Sequence, residues 1–410
     1  MRFLILLVAM LAVGCQTTQV PGDCQNNFAK WSPSGAPKRK IAFNKRDFAR
    51  QGFTAQSFNA FGQKMGLKSV QGLEGINGFT YEDGPRINGS ASSMVMSALG
   101  PDWVIQDELE HHVFETLYRL TPVEVNAGAP SEPRPPCPGT PPPVDPAPQP
   151  TPQPPAEQAK SWGVTRVRAM EAKALVDTSK VKVCIVDTGA DLNHPQRGTI
   201  VGTKDFTGKG TAQDGNGHGT HTAGTVAGGG GVGVSRSALY ICKGLDDRGA
   251  GSSQALAQCL NWCGTQGAQI VSNSWGSSQS DPLINQAIKN LTDRGIYVFV
   301  AAGNDSGPVN WPAKLSGSNQ LVYAIASSDK NDRISDFSSR GAEIRFISPG
   351  SAIVSNWPGG GTRSLDGTSM ATPHAAGICA YGIATGKRPC VKAPSGVAGY
   401  PFPDALSSAE

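Results

Sequence analysis

A surplus of either charge is missing from this chain. Only 17% of its 410 residues are charged, 36 Lys and Arg stand against 32 Asp and Glu, and the formal net charge is +4. Such a balance creates no field that would steer the chain onto nucleic acid. The longest basic run, PKRK at 37–40, reads as a solvated loop. Long apolar runs are equally scarce, since the stretch from Phe3 to Val13 is too short to span a bilayer. A second cysteine pair at metal-binding spacing is absent too, so Cys259 and Cys263, four apart on an expected helix, do not suggest zinc. What is abundant is glycine and proline, 50 and 31 residues, which predicts a loop-rich protein rather than a helical bundle.

The N-terminus, MRFLILLVAMLAVGCQTTQ, puts Arg2 before an apolar stretch and small residues before Cys15. Residues 1–15 read as an export signal. AVGC resembles a bacterial lipoprotein box, in which Cys15 would be lipidated, with ordinary signal cleavage as the alternative. Export permits disulfides, but spacing alone does not give their pairing. Cys184 and Cys242 lie in apolar strand-like runs and are expected as buried free thiols.

Residues 16–37 read as a spacer and 126–157 as a linker. Fourteen prolines in 130–155 preclude a packed core and favour an extended rod of up to roughly 80 Å, at about 3.1 Å per residue. Before the linker, residues 38–125 carry strand, helix, strand, strand, helix, strand patterns at 40–45, 54–66, 67–74, 77–84, 90–100 and 102–108, the order of a small ferredoxin-like α+β sandwich. After it, 158–390 hold near-continuous apolar runs at 180–187, 238–245, 268–275, 296–303 and 321–328. These suit an α/β three-layer sandwich with a mostly parallel sheet, followed by a C-terminal tail at 391–410. Functional groups in such sheets gather at the strands' carboxyl ends, where Asp187, Ser274 and Asn304 all fall.

Three stretches carry complementary chemistry: CIVDTGADLNHP (184–195), DGNGHGTHTAG (214–224) and LDGTSMATPHAAG (365–377). They offer a carboxylate at a strand end, a histidine at a helix start, and a serine in a glycine turn entering a helix. A serine hydroxyl becomes a good nucleophile when a base takes its proton and a buried carboxylate fixes that base. Zinc is a poor rival at His218 and His221, because the metalloprotease motif needs histidines four apart with a glutamate between, and Gly219 and Thr220 stand here.

These motifs resemble those of the subtilisin-like serine proteases, nearest the proteinase K branch, over roughly residues 161–388. The order aspartate, histidine, serine is the one subtilisin itself exemplifies. The resemblance implies Asp187 as orienting carboxylate, His218 as general base and acid, Ser369 as nucleophile and Asn304, in FVAAGNDSG, as oxyanion donor. It makes His221 a supporting residue, while His374 reads as a core histidine. Gly215, Gly217 and Gly219 are expected to let the chain turn sharply and approach substrate. An extended peptide would lie between Gly249, Ala250 and Gly251 on one side and Ser274, Trp275 and Gly276 on the other, with Ala302 and Gly303 at the primary pocket. Small linings favour apolar side chains without strict selection. Trp275 departs from the smaller aliphatic residue usual there, which alters the neighbouring subsites.

No cofactor is implied. Calcium remains open without named residues, since the loop at 227–237 lacks side-chain oxygens suited to the ion, and Arg345 stands where relatives have an aspartate. The front domain resembles the propeptide that assists folding and inhibits this family until it is cleaved, here somewhere between about Glu108 and Ser161. The alternative is an unrelated envelope-anchoring domain. The whole reads as an exported, monomeric, self-processing endopeptidase acting on protein substrates. A catalytically silent scaffold is the rival from another class; a lipase or esterase would show GxSxG, whereas Ser369 lies in GTSMA.

Overall fold

The computed structural model describes residues 39–44, 61, 63, 67–73, 78–82, 99, 103–113 and 161–410. The signal, Cys15, the spacer and the proline-rich linker lie outside them. So do most of the two front helices, though Phe61, Gln63 and Leu99 are helical.

In the front part, β1 (Arg39–Asn44), β2 (Lys68–Gly72), β3 (Gly78–Glu82) and β4 (Trp103–Asp107) form one sheet in the order β2-β3-β1-β4. Every neighbouring pair is antiparallel, which is the ferredoxin-like arrangement. Alternation along β1 and β3 buries Ala42, Phe79 and Tyr81 on one face, where Phe61 and Leu99 cover them. A further strand, β5 (Glu110–Val113), leaves this sheet and pairs with the rear part.

The rear part begins with α1 (Trp162–Arg166) and α2 (Ala169–Leu175) and then builds a sheet from β6 (Lys182–Asp187), β7 (Thr199–Asp205), β8 (Ala238–Lys243), β10 (Ile270–Asn273), β12 (Tyr297–Ala301), β13 (Val322–Ser328) and β14 (Ile344–Pro349). Its order is β14-β13-β12-β10-β6-β8-β7, and every pair is parallel. The five expected apolar runs are the five inner strands. The two edge strands, β7 and β14, lie outside those runs; β7 alternates between exposed and half-buried residues, whereas β14 is buried at all but Arg345. The strand order reverses between β6 and β10, so the crevice at their carboxyl ends brings Asp187 close to Asn273 and Ser274.

Helices α3 (His218–Ala227) and α6 (Thr368–Ala384) pack on each other and on the sheet, as do α4 (Ser253–Thr265) and α5 (Pro282–Asp293). This completes the three-layer sandwich. α6 is apolar around almost its whole circumference and is accordingly buried through Gly382.

Two expectations need correction. Cys184 and Cys242 are not free thiols: the bridges are Cys184–Cys263, Cys242–Cys259 and Cys379–Cys390. Cys259 and Cys263 share one face of α4, and each meets a cysteine of β6 or β8 beneath it. Residues 391–410 do not trail as a tail. They form β17 (Ser395–Val397), β18 (Tyr400–Phe402) and α7 (Ala405–Ala409), which packs on α2 and α6. The Arg168 guanidinium grips Asp404 with two bonds of 2.6 and 2.5 Å, and Asp404 also caps α7 through Ser407 N–H at 2.7 Å.

Candidate active site

Asp187 ends β6, almost fully buried. Its Oδ1 accepts the His218 Nδ1–H at 2.7 Å and the Thr188 backbone N–H at 2.7 Å, and its Oδ2 accepts the Thr222 hydroxyl at 3.1 Å. These donors hold the carboxylate in one orientation, and the bond from Nδ1 leaves Nε2 of His218 as the proton acceptor. The loop leading to His218 is organised by Asp214, which was not singled out from the sequence. Its carboxylate accepts the Asn216, Gly217 and Thr220 N–H groups, each at 2.9 Å, and the hydroxyls of Thr188 and Thr220. An aspartate opening a glycine turn is a local signal for such bonding.

The glycines of this loop are required by the chain's own packing. Gly217 has φ +112°, and a Cβ there would lie 2.3 Å from the Trp357 ring; one on Gly219 would lie 2.1 Å from the Gly189 carbonyl. His221 Nε2–H donates to the carbonyls of Ile353 (2.9 Å) and Arg363 (3.1 Å), tying α3 to the hairpin of β15 (Ile353–Trp357) and β16 (Gly361–Leu365). Burial pushes it down to about 3, so it stays neutral. His374 is a core histidine, its Nδ1–H on Met370 O at 2.8 Å, and burial lowers it to about 4.

Ser369 sits at the first turn of α6, its Oγ–H on the Ser274 carbonyl at 2.9 Å, while the Ser274 hydroxyl returns to the Ser369 carbonyl at 2.8 Å. Asn304 follows β12. Its Oδ1 accepts both the backbone N–H and the hydroxyl of Thr368 at 2.9 Å, which turns Nδ2 the other way. That Nδ2 is buried and meets no acceptor among the described residues. A buried, oriented amide of this kind suits charge that develops only during reaction. The Thr368 hydroxyl also accepts the Gly303 N–H at 3.1 Å, so it aligns both segments.

The two segments expected to hold an extended peptide are β9 (Ala250–Ser252) and β11 (Trp275–Gly276), and β5 lies between them, antiparallel to both. Val113 pairs with Trp275, His112 with Gly276 and His111 with Gly251, and Val113 N–H donates to Gly249 O at 3.1 Å. β5 therefore runs from the Gly276 end toward Ser274, whose carbonyl receives the Ser369 hydroxyl. With β5 in place the Trp275 ring is fully buried: its Nε1–H bonds Val186 O at 2.9 Å, and its indole meets the His111 ring with centroids 5.6 Å apart. Ala302 and Gly303 lie past the end of β12, joined to the Ser369 helix through the Thr368 hydroxyl.

Arg345 donates to Ser316 Oγ at 3.3 Å and to its carbonyl at 3.0 Å, so a guanidinium occupies the position where the resemblance implied an aspartate. Among the described residues, no group of three or more His, Cys, Asp or Glu is arranged to hold a metal ion.

The subtilase family model matches residues 178–387, just over half of the chain. Subtilisin Savinase from Lederbergia lenta is 39% identical over 230 residues, covering 54% of this chain and 84% of its own. Thermitase from Thermoactinomyces vulgaris is 36% identical over 229 residues, 54% of this chain and 81% of its own. M-protease from Shouchella clausii (strain KSM-K16) is 39% identical over 230 residues, 54% of this chain but only 59% of its own length. These relatives carry the assignment to the family without selecting its proteinase K-like branch. Matched motifs, chain order and sheet architecture agree, and the chain belongs to the subtilase family.

Proposed function

We propose that this protein is a serine endopeptidase that hydrolyses peptide bonds through an acyl-enzyme on Ser369. The observation that carries this reading is the 2.7 Å bond from His218 to the buried, triply held Asp187, in a crevice shared with Ser369. His218 Nε2 takes the Ser369 proton as Oγ attacks the carbonyl carbon, then gives it to the leaving amine; Asp187 keeps the tautomer and stabilises the cation. The oxyanion receives Asn304 Nδ2–H and the Ser369 backbone N–H. Water, activated by His218 in turn, releases the acid product.

Substrate binds as an added strand between Gly249, Ala250 and Gly251 and Ser274, Trp275 and Gly276, with Ala302 and Gly303 bordering the primary pocket. The front domain, 38–125, acts as an intramolecular inhibitor, supported by β5 occupying that strand position. The chain is exported as a monomeric zymogen, with Cys15 as lipidation site; no helix among the described residues is long and apolar enough to cross a membrane.

The test is the intact mass of the purified full chain over time, wild type beside Ser369→Ala. Loss of the front segment by the wild type alone, cut beyond Val113, is the expected result. A chain that stays whole in both, and hydrolyses no peptide, would return the reading to a silent subtilase-fold scaffold. Cys15→Ser should release the protein from membranes, and unchanged partitioning would remove lipidation.

A further inference from the structure

Deep beside the cleft lies a carboxylate that the reaction does not use. Asp281, 1% exposed, caps α5 through Oδ1, which accepts the N–H groups of Leu283 (2.9 Å) and Ile284 (3.2 Å). Its Oδ2 accepts the Ser253 hydroxyl at 2.5 Å and Nε2–H of His111 at 2.9 Å. His111 belongs to β5, is completely buried, and sets its ring edge against the Trp275 indole with centroids 5.6 Å apart at 81°. Gln106 of β4 adds a 2.7 Å bond to Oδ1. Burial alone would raise the Asp281 carboxyl, but the bonds from His111, Gln106 and Ser253 outweigh it and hold the group below the usual carboxylate range.

Helix capping explains Oδ1 but not the rest of the arrangement. Oδ2 points with Ser253 into the place where the side chain of a strand residue paired with Gly251 arrives, and Trp275 forms a flat wall beside it. A buried carboxylate that loses a donor is penalised, so an apolar side chain entering here would leave Oδ2 without the bond His111 supplies, whereas an imidazole restores it.

We infer that Ser253, Trp275 and Asp281 form a side-chain subsite selecting histidine in peptides bound along the cleft, at the residue that pairs with Gly251. The inference rests on the peptidase reading above and adds a polar requirement to a cleft expected to prefer apolar residues. Front-segment retention and substrate choice then share one contact, because a substrate histidine takes the place of His111.

The experiment uses self-processed enzyme and acetyl-His-His-Val-Phe p-nitroanilide, which copies residues 111–114, beside peptides with Ala, Leu or Arg as the first residue. The wild type should cleave the His peptide with kcat/KM about tenfold or more above the Ala and Leu peptides. That ratio, read within each variant, should fall to about threefold or less in Asp281→Asn, where asparagine still caps the helix, and should shrink in Ser253→Ala. Equal use of all four peptides, a preference for Arg over His, or an undiminished His preference in Asp281→Asn overturns the subsite while leaving the peptidase reading intact. If no peptide is cut, the peptidase reading falls, and hydrogen exchange along β5 in the full Ser369→Ala chain decides the contact. Faster exchange of residues 110–113 in Asp281→Asn supports it; unchanged exchange overturns it.

Discussion

Replacing Thr368 with valine keeps the shape and β-branching of a fully buried side chain and deletes a single hydroxyl. That hydroxyl donates to Asn304 Oδ1 at 2.9 Å and accepts from Gly303 N–H at 3.1 Å, so two effects are expected. Leaving the Gly303 amide without its acceptor should cost about 1–3 kcal/mol of stability. Asn304 keeps only the Thr368 backbone N–H as a guide and can swing its Nδ2 off the oxyanion position. Complete loss of such a donor costs about 2.7–4 kcal/mol, a magnitude measured in subtilisin, a relative of this chain. Partial misalignment should cost about half, or roughly a 10-fold fall in kcat, with KM little changed because the oxyanion exists only in the transition state. Urea unfolding in a Ser369→Ala background reads the first effect without self-digestion, and active-site-titrated kinetics on a peptide anilide read the second. Thr368→Ser should restore most of both. An unchanged kcat alongside the stability loss would refute the positioning role of the hydroxyl.

Burial raises the Asp366 carboxyl to about 6, against one opposing bond from Ala352 N–H at 3.0 Å. The folded state therefore holds this proton more tightly than the unfolded chain, and the associated stability, present at low pH, is lost as pH rises from about 4 to about 6. Asp366→Asn should gain about 2–3 kcal/mol at pH 8 and little at pH 4; an equal change at both refutes the assignment. His374, lowered to about 4, works in the opposite sense: its stability is full above pH 6.5 and lost as pH falls toward 4. His374→Gln should flatten the acid side of the urea-midpoint profile, and an unaltered slope would count against it. All six bridged cysteines are completely buried, so thiol reductant should leave them oxidised in the native protein and reach them only with denaturant, as peptide mapping after alkylation would reveal.

What the sequence by itself determined is what short-range pattern encodes. Continuous apolar runs specified the five inner strands, because a strand buried on both faces leaves no room for alternation. Side-chain chemistry in fixed local contexts marked Asp187, His218, Ser369 and Asn304 as the candidate site residues. The tertiary structure decided everything that depends on which distant surfaces meet. Cys184 and Cys242 read as free thiols because a strand gives no sign of the helix that will cover it; α4 brings Cys263 and Cys259 over them. Trp275 stood out as a bulky cleft residue, but only the fold shows that its Nε1–H reaches Val186 O while its ring meets His111 of β5. Thr368 and Asp214 carry no sequence mark of their bridging roles, because their hydroxyl and carboxylate join segments distant in the chain. His111 and Asp281 are 170 positions apart and belong to no common motif. They meet because β5 pairs into the cleft, and such a contact is fixed by strand register rather than by local sequence.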